Sequence, residues 1–287
     1  MSQSKIGLRR QAALKALQVR SQLPAGLGDA VSPYDVATKV AKVIVRFYEL
    51  PLEGIFHATS PRIILSSLRP WVRQNFTCAH ELGHFFLGHG FQVEELVELR
   101  DVASYDIPEE LSADAFAAEL LMPKTTINSG FNSRGFKIQN CNPWEFYIVS
   151  QWLGVGYETL LKHLRYFVKA INEDQFNGLK RNKRQNIRAE ILGEPCKSEL
   201  FIVDENWRGR STDVAIGDFL LSDQSLAFSC DGFFDLCDKP RAAFRFCYKA
   251  VKRGKLAITS INGIPHQLSV RVSPQAYVGL ENYRYFE

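Results

Sequence analysis

Five residues, His80-Glu81-Leu82-Gly83-His84, restrict what this chain can fold into more than any other feature. Two histidines four apart act together only on a helix, where they lie about 40° apart in azimuth and one turn apart along the axis. The neighbouring residues agree with a helix. Val72, Phe76, Ala79, Gly83 and Phe86 recur at steps of four and three, which gives one apolar face. Pro70 opens the segment, and Gly88 and Gly90 are natural stops. Both imidazoles can then meet one ion at about 2.0 to 2.1 Å, the distance that zinc prefers. Glu81 points to an adjacent face, too far round to be a third ligand from the same helix. It can instead reach a water on that ion and take its proton.

A catalytic zinc takes three protein ligands and keeps a fourth position for water. The third ligand is expected from a helix that starts at Pro108, runs through Leu121 and is ended by Met122-Pro123. Its candidates are Glu109, Glu110 and Asp114. Glu110 and Asp114 are four apart and share a face with Ala113, Ala117 and Leu121, so both are expected to be buried. Buried carboxylates need compensation. Glu110 as a zinc ligand, and Asp114 as acceptor for the outer N–H of a ligating histidine, would provide it. Glu109 falls on another face and reads as solvated. The chemistry implied is hydrolysis by activated water, with Glu81 as general base. An oxyanion donor is also required, and Tyr105, His163 and Arg73 are candidates among which the sequence does not choose. His89, beyond the helix stop, reads as structural; His57 and His266 read as ordinary surface or strand residues.

The remainder sorts by pattern. Residues 9–22 predict a short helix with Ala13, Leu14, Ala16 and Leu17 on one face, inside an N-terminal extension of residues 1–30. Ser32-Pro33-Tyr34-Asp35 is a helix start, and three strand-like pieces follow at 43–47, 52–57 and 62–66. Five carboxylates, Glu94, Glu95, Glu98, Asp101 and Asp106, sit in a looser segment. Residues 124–143, rich in Asn, Ser and Gly, predict a loop, and two helical segments flank Gly154. Lys180, Arg181, Lys183, Arg184 and Arg188 make 179–198 a basic linker; no aromatic residues interleave, so nucleic acid is not expected as a partner. From 199 to 287 short apolar runs broken by turn signals predict β structure: 200–203, 219–221, 243–248, 256–261 and 269–272. Six scattered cysteines without framework spacing read as free thiols, with Cys230 and Cys237 packed in the core. No apolar run is long enough to cross a bilayer and the N-terminus lacks a signal-peptide pattern, so a cytoplasmic protein with no membrane partner is expected.

Three passages together resemble the ImmA/IrrE family of bacterial and phage metallopeptidases: Ser-Ser-Leu-Arg-Pro70, Arg73-Gln-Asn-Phe-Thr-Cys-Ala-His-Glu-Leu-Gly-His-Phe-Phe-Leu-Gly-His89, and Glu110-Leu-Ser-Ala-Asp-Ala-Phe-Ala-Ala-Glu-Leu-Leu-Met-Pro123. The resemblance covers about residues 30–168. It implies a small β-sheet plus a helical zincin-like metallopeptidase core over 31–178; with the mostly β C-terminal domain read from the pattern of 199–287, which resembles no named family, the expected fold class is α+β. It places the zinc histidines on His80 and His84, the general base on Glu81 and the glutamate ligand on Glu110. Where the family often shows Glu-x-Glu-Ala-Asn or Asp, this chain has Ser112 in place of the second acid. Residues 146–167 resemble a helix-turn-helix, but Glu158 and the lack of early basic residues make a poor recognition helix, so packing is its expected role. The implied function is regulatory: zinc-dependent cleavage of a repressor-like partner encoded nearby, tied to mobile elements or toxin–antitoxin control. Many members carry an N-terminal DNA-binding domain, for which about 30 residues are too few. The alternatives are a non-catalytic sensor that keeps the zinc fold and acts by binding a protein partner and, ranked below it, a DNA-binding regulator built on residues 146–167 and the basic stretch.

Overall fold

The computed structural model describes residues 4–90, 92–94, 107–237 and 244–286. Tyr105, Ala243 and the acids Glu95, Glu98, Asp101 and Asp106 lie outside these residues. Contacts divide the chain into two compact units, residues 1–127 with 276–284, and residues 128–275 with 285–287.

In the first unit α1 (Lys5–Arg20) begins four residues earlier than its apolar pattern predicts, because the Ser4 hydroxyl accepts the Gly7 N–H at 3.1 Å and caps it. A turn, α2 (Pro33–Asp35), continues as a π-helical segment (Val36–Ala41) into β1 (Ile44–Tyr48), β2 (Gly54–His57) and β3 (Arg62–Ser66). The helices α3 (Trp71–Leu87) and α4 (Pro108–Leu121) follow, separated by the short strand β4 (Gln92–Glu94).

The helix α5 (Lys124–Asn132) occupies ground expected to be loop. Its Asn, Ser and Thr residues disfavour helix, but Ile127 and Phe131, four apart, are fully buried, and packing outweighs propensity there. In the second unit, α6 (Pro143–Leu153), α7 (Tyr157–Tyr166), α8 (Glu173–Lys180) and α9 (Arg184–Leu192) precede the strands β5 (Leu200–Ile202), β6 (Arg210–Ala215), β7 (Phe219–Ser222), β8 (Leu226–Phe228), β9 (Phe234–Leu236), β10 (Phe246–Ala250), β11 (Gly254–Ile261) and β12 (Ile264–Ser273). The chain then returns to the first unit as β13 (Gly279–Leu280). The architecture is α+β, a helical core followed by a β-rich C-terminal region.

The sheet of the first unit runs β13-β1-β3-β2-β4, with β1 and β3 parallel and the other pairings antiparallel. One face of it carries α3, which packs on β2 and β3, while α4 packs on both α1 and α3. The inner face of α1 is Ala12, Ala16 and Val19, whereas Leu14 and Leu17 are exposed. The small residues admit close approach to α4, which corrects the expected face. Arg20 closes this corner from a buried position: it donates to the Leu120 and Asp29 carbonyls at 2.6 Å each and to Thr126 Oγ1 at 2.9 Å. Arg284, delivered after β13, stacks 4.6 Å from the Tyr34 ring and 4.9 Å from Phe47.

In the second unit the four-stranded sheets are β5-β7-β10-β9 and β6-β12-β11-β8. The helix-turn-helix-like pair α6 and α7 turns at Gly154, in the left-handed region at φ 73°. Its Phe146, Tyr147, Val149 and Leu153 are buried, with α6 packing on α7, α9 and β5. The basic stretch contains α9, whose Ile187, Ile191 and Leu192 are buried. Cys230 is exposed and Cys237 half-buried, so the pair is not packed in a core; Cys230 lies in the connection from β8 to β9 and Cys237 directly after β9.

Candidate metal centre

Two close backbone approaches set the site. Gly54 on β2 lies against α3 so tightly that a Cβ there would sit 2.5 Å from Thr77 Cγ2 and 3.0 Å from Glu81 Oε1. Gly83 faces α4, where a Cβ would meet Ala113 Cα at 2.9 Å and the Ala113 carbonyl oxygen at 3.0 Å. The missing side chain at 83, within the His80–His84 turn, therefore lets the two helices touch. The residues three before and one after each contact position then face each other across it: His80 and His84 from α3, Glu110 and Asp114 from α4.

The resulting geometry is narrow. His80 Nε2 and His84 Nε2 are 3.0 Å apart. The Glu110 carboxylate reaches both, Oε2 to His80 Nε2 at 3.2 Å and Oε1 to His84 Nε2 at 3.5 Å. One ligand atom from each of the three residues lies within 4.8 Å of the others. His80, Glu81 and His84 are each 1% exposed. On the far side of its ring, His80 Nδ1 lies 2.9 Å from Asp114 Oδ1, so Nδ1 carries a hydrogen and Nε2 is the atom turned towards Glu110 and His84. The Glu110 and Asp114 side chains keep 17% and 29% exposure, so this face of α4 is more open than its apolar neighbours imply.

The donor set fits a divalent ion, as its own electrostatics show. Two imidazole nitrogens and a carboxylate converge in a site largely closed to water, and their lone pairs repel unless something positive lies between them. A proton is the minimal answer. Burial alone would depress His80, yet the hydrogen bonds to Asp114 and Glu110 raise it to about 9. Burial and the adjacent His80 push His84 down to about 3. The site thus holds one proton where a cation would satisfy all three groups. Two nitrogens and one oxygen form a donor set suited to zinc.

Glu109, as expected, is exposed. Of the oxyanion candidates, Arg73 has its Nε 3.5 Å from a buried Glu53 carboxylate and is half-exposed, and His163 lies in the second unit with its ring stacked on Phe167 at 5.5 Å. Arg73 is thus directed at Glu53. His57, on β2, accepts the Ser60 N–H at 3.2 Å and is not among the three converging groups.

His89, expected to be structural, stands beside the three converging groups. His89 places Nδ1 2.9 Å from His84 Nδ1. The signal for this lay in Gly88, which adopts φ 74° and ends α3 with the His89 N–H donating to the His84 carbonyl at 2.9 Å. Such a turn folds residue 89 back beside residue 84, whereas a count of five along a continued helix points it elsewhere.

Residues 40–165 match the Peptidase M78 family model, described as an IrrE N-terminal-like domain. That segment includes β1 to α7 and all the converging residues, so the chain carries an IrrE N-terminal-like domain of the ImmA/IrrE family. A search of curated proteins finds no match.

Proposed function

We propose that the centre binds zinc and hydrolyses peptide bonds, which makes this chain a regulatory metallopeptidase acting in the cytoplasm on a repressor-like or toxin–antitoxin-type protein partner encoded nearby. The convergence of His80 and His84 from α3 with Glu110 from α4 carries this reading. The family match supports it, because it assigns that segment to a peptidase-type domain.

His80, His84 and Glu110 would hold the zinc, which when bound would supply Lewis-acid polarisation of the scissile carbonyl and a lowered pKa, towards about 7, for its water. Glu81 is the general base. It is buried on α3 next to His80, its charge acts on the His80 imidazole, and packing under Gly54 confines its carboxylate. Its part is to take the proton of the attacking water and hand it to the leaving amine. Asp114 keeps the His80 hydrogen on Nδ1 and so presents Nε2 to the ion.

The test is incubation of the zinc-loaded protein with the product of the neighbouring gene, with and without a chelator. Chelator-sensitive cleavage is expected, and Glu81→Gln should lower its rate roughly 10²- to 10⁴-fold while zinc stays bound. Undiminished cleavage in the zinc-bound Glu81→Gln protein would remove Glu81 as the general base; intact regulatory output without cleavage would replace the catalytic reading by a zinc-fold sensor; failure of the purified chain to take up metal would sink both.

A further inference from the structure

Each ligating histidine has an outward nitrogen whose partner decides which ring nitrogen keeps its lone pair. For His80 that partner is the Asp114 carboxylate. For His84 it is another imidazole, and the direction of the bond between them follows from its far end. Ser112 sits on α4 with Oγ 2.9 Å from the Pro108 carbonyl and 3.0 Å from the Glu109 carbonyl. Its single hydrogen is committed to its own helix, as serine hydroxyls commonly are. What it offers to other groups is a lone pair.

His89 Nε2 lies 3.4 Å from that oxygen, so the hydrogen of the neutral ring sits on Nε2. The lone pair of His89 is then on Nδ1, which accepts from His84 Nδ1–H at 2.9 Å. His84 is left with its lone pair on Nε2, the atom that faces Glu110 and His80. The two rings meet at 68° with centroids 5.0 Å apart, an edge-on contact that lets the nitrogens point at each other.

From this chain of bonds we propose that His89 and Ser112 are positioning residues: together they fix the tautomer and orientation of His84, as Asp114 does for His80, and so set the affinity of the site for its metal. The proposal rests on the metal-binding reading above. It also gives a role to Ser112, the residue at which this chain departs from the acid often found in the family.

The experiment compares zinc affinity, by competition with a chromophoric chelator, and the visible absorption of the cobalt(II)-loaded protein. His89→Phe keeps the volume and removes the acceptor, and His89 is half-buried beyond the end of α3, so the fold should persist. Zinc binding should weaken about 10- to 100-fold, with a changed cobalt spectrum and an unchanged apo Tm. Ser112→Ala should move both readouts in the same direction by less. His89→Asn can place a carbonyl oxygen near the position of Nδ1 and should recover most of the affinity and the spectrum; a rescue of this kind separates positioning from simple packing. Wild-type affinity and spectrum in His89→Phe would overturn the proposal while leaving metal binding intact. X-ray absorption showing three imidazoles on zinc in the wild type would overturn it in another way, by making His89 a ligand. A wild-type protein that binds neither zinc nor cobalt would defeat the underlying reading itself, and this proposal with it.

Discussion

Replacing Gly83 by alanine sets two known effects against each other at the point where α3 meets α4. Alanine is the better helix former by about 1 kcal/mol, so an isolated α3 would gain from the change. In the folded protein the added methyl would lie 2.9 Å from Ala113 Cα and 3.0 Å from its carbonyl oxygen. Carbon atoms in ordinary contact stand about 3.5 Å apart, so the helices must separate by about 0.6 Å. These are backbone atoms, which cannot rotate away as a flexible side chain could. Such overpacking costs about 1 to 3 kcal/mol, so the net effect on the apo protein is a modest loss of about 0 to 2 kcal/mol.

The metal site should suffer more than the fold. His80 and His84 ride on α3 and Glu110 on α4, so a separation of about 0.6 Å goes straight into the spacing of the ligands. Metal–ligand distances tolerate only about 0.2 Å. Zinc affinity is therefore expected to fall well over tenfold while the apo Tm drops by a few degrees. Chelator competition and thermal unfolding of the same preparation read the two quantities. The reasoning is refuted if Gly83→Ala raises the apo Tm and leaves zinc affinity unchanged, since the contact with Ala113 would then not hold the helices together.

Two further outcomes follow from the same geometry. Because His80 is raised to about 9 in the apo protein, it is protonated at neutral pH, and metal must displace that proton. Zinc affinity should accordingly rise about tenfold per pH unit from 7 towards 9 and then level off, with about one proton released per ion at pH 7.5; titration calorimetry in buffers of different ionisation enthalpy counts it, and a pH-independent affinity would contradict the assignment. Arg20→Ala leaves the buried Leu120 carbonyl and Thr126 hydroxyl without their donor, which should cost about 2 to 3 kcal/mol in urea unfolding, and a loss under 1 kcal/mol would show that the corner relaxes or admits water.

The parts of this structure that could be read in the sequence are those where local pattern and tertiary demand coincide. The α3 helix is such a place: its apolar period, its proline start and its glycine end all describe one element, and the two histidines fall on the side that meets α4. Glu110 and Asp114 were legible for a related reason, since a spacing of four puts both carboxylates opposite the imidazoles. Where polar residues are buried by pairing, the pattern gives no warning. The strand β6 contains Arg210, Ser211, Thr212 and Asp213, which no apolar run marks. Asp213 is buried there because Arg271 donates to it at 2.8 Å and Tyr285 at 2.6 Å, partners more than fifty residues away in the chain.

His89 belongs to neither class. Its place is determined locally, by one glycine, but the information is conformational rather than periodic. A helix that continued past residue 87 would carry residue 89 well round from His84, and only the left-handed turn at Gly88 reverses it. Glycine adopts that conformation without the steric cost that a Cβ brings, roughly 1 kcal/mol or more for other residues. The function of Gly88 is thus broader than stopping a helix. By ending α3 one turn after His84, it supplies that imidazole with a partner from the same short segment, while His80 draws its partner from α4. The two histidines are held by different means, one directly by a carboxylate across the helix interface and one by a neighbour along the chain, with Ser112 of α4 only at the far end of that link. A change in the spacing of α3 and α4 should therefore disturb Glu110 and the Asp114–His80 bond first, and reach the His84–His89 contact only through Ser112.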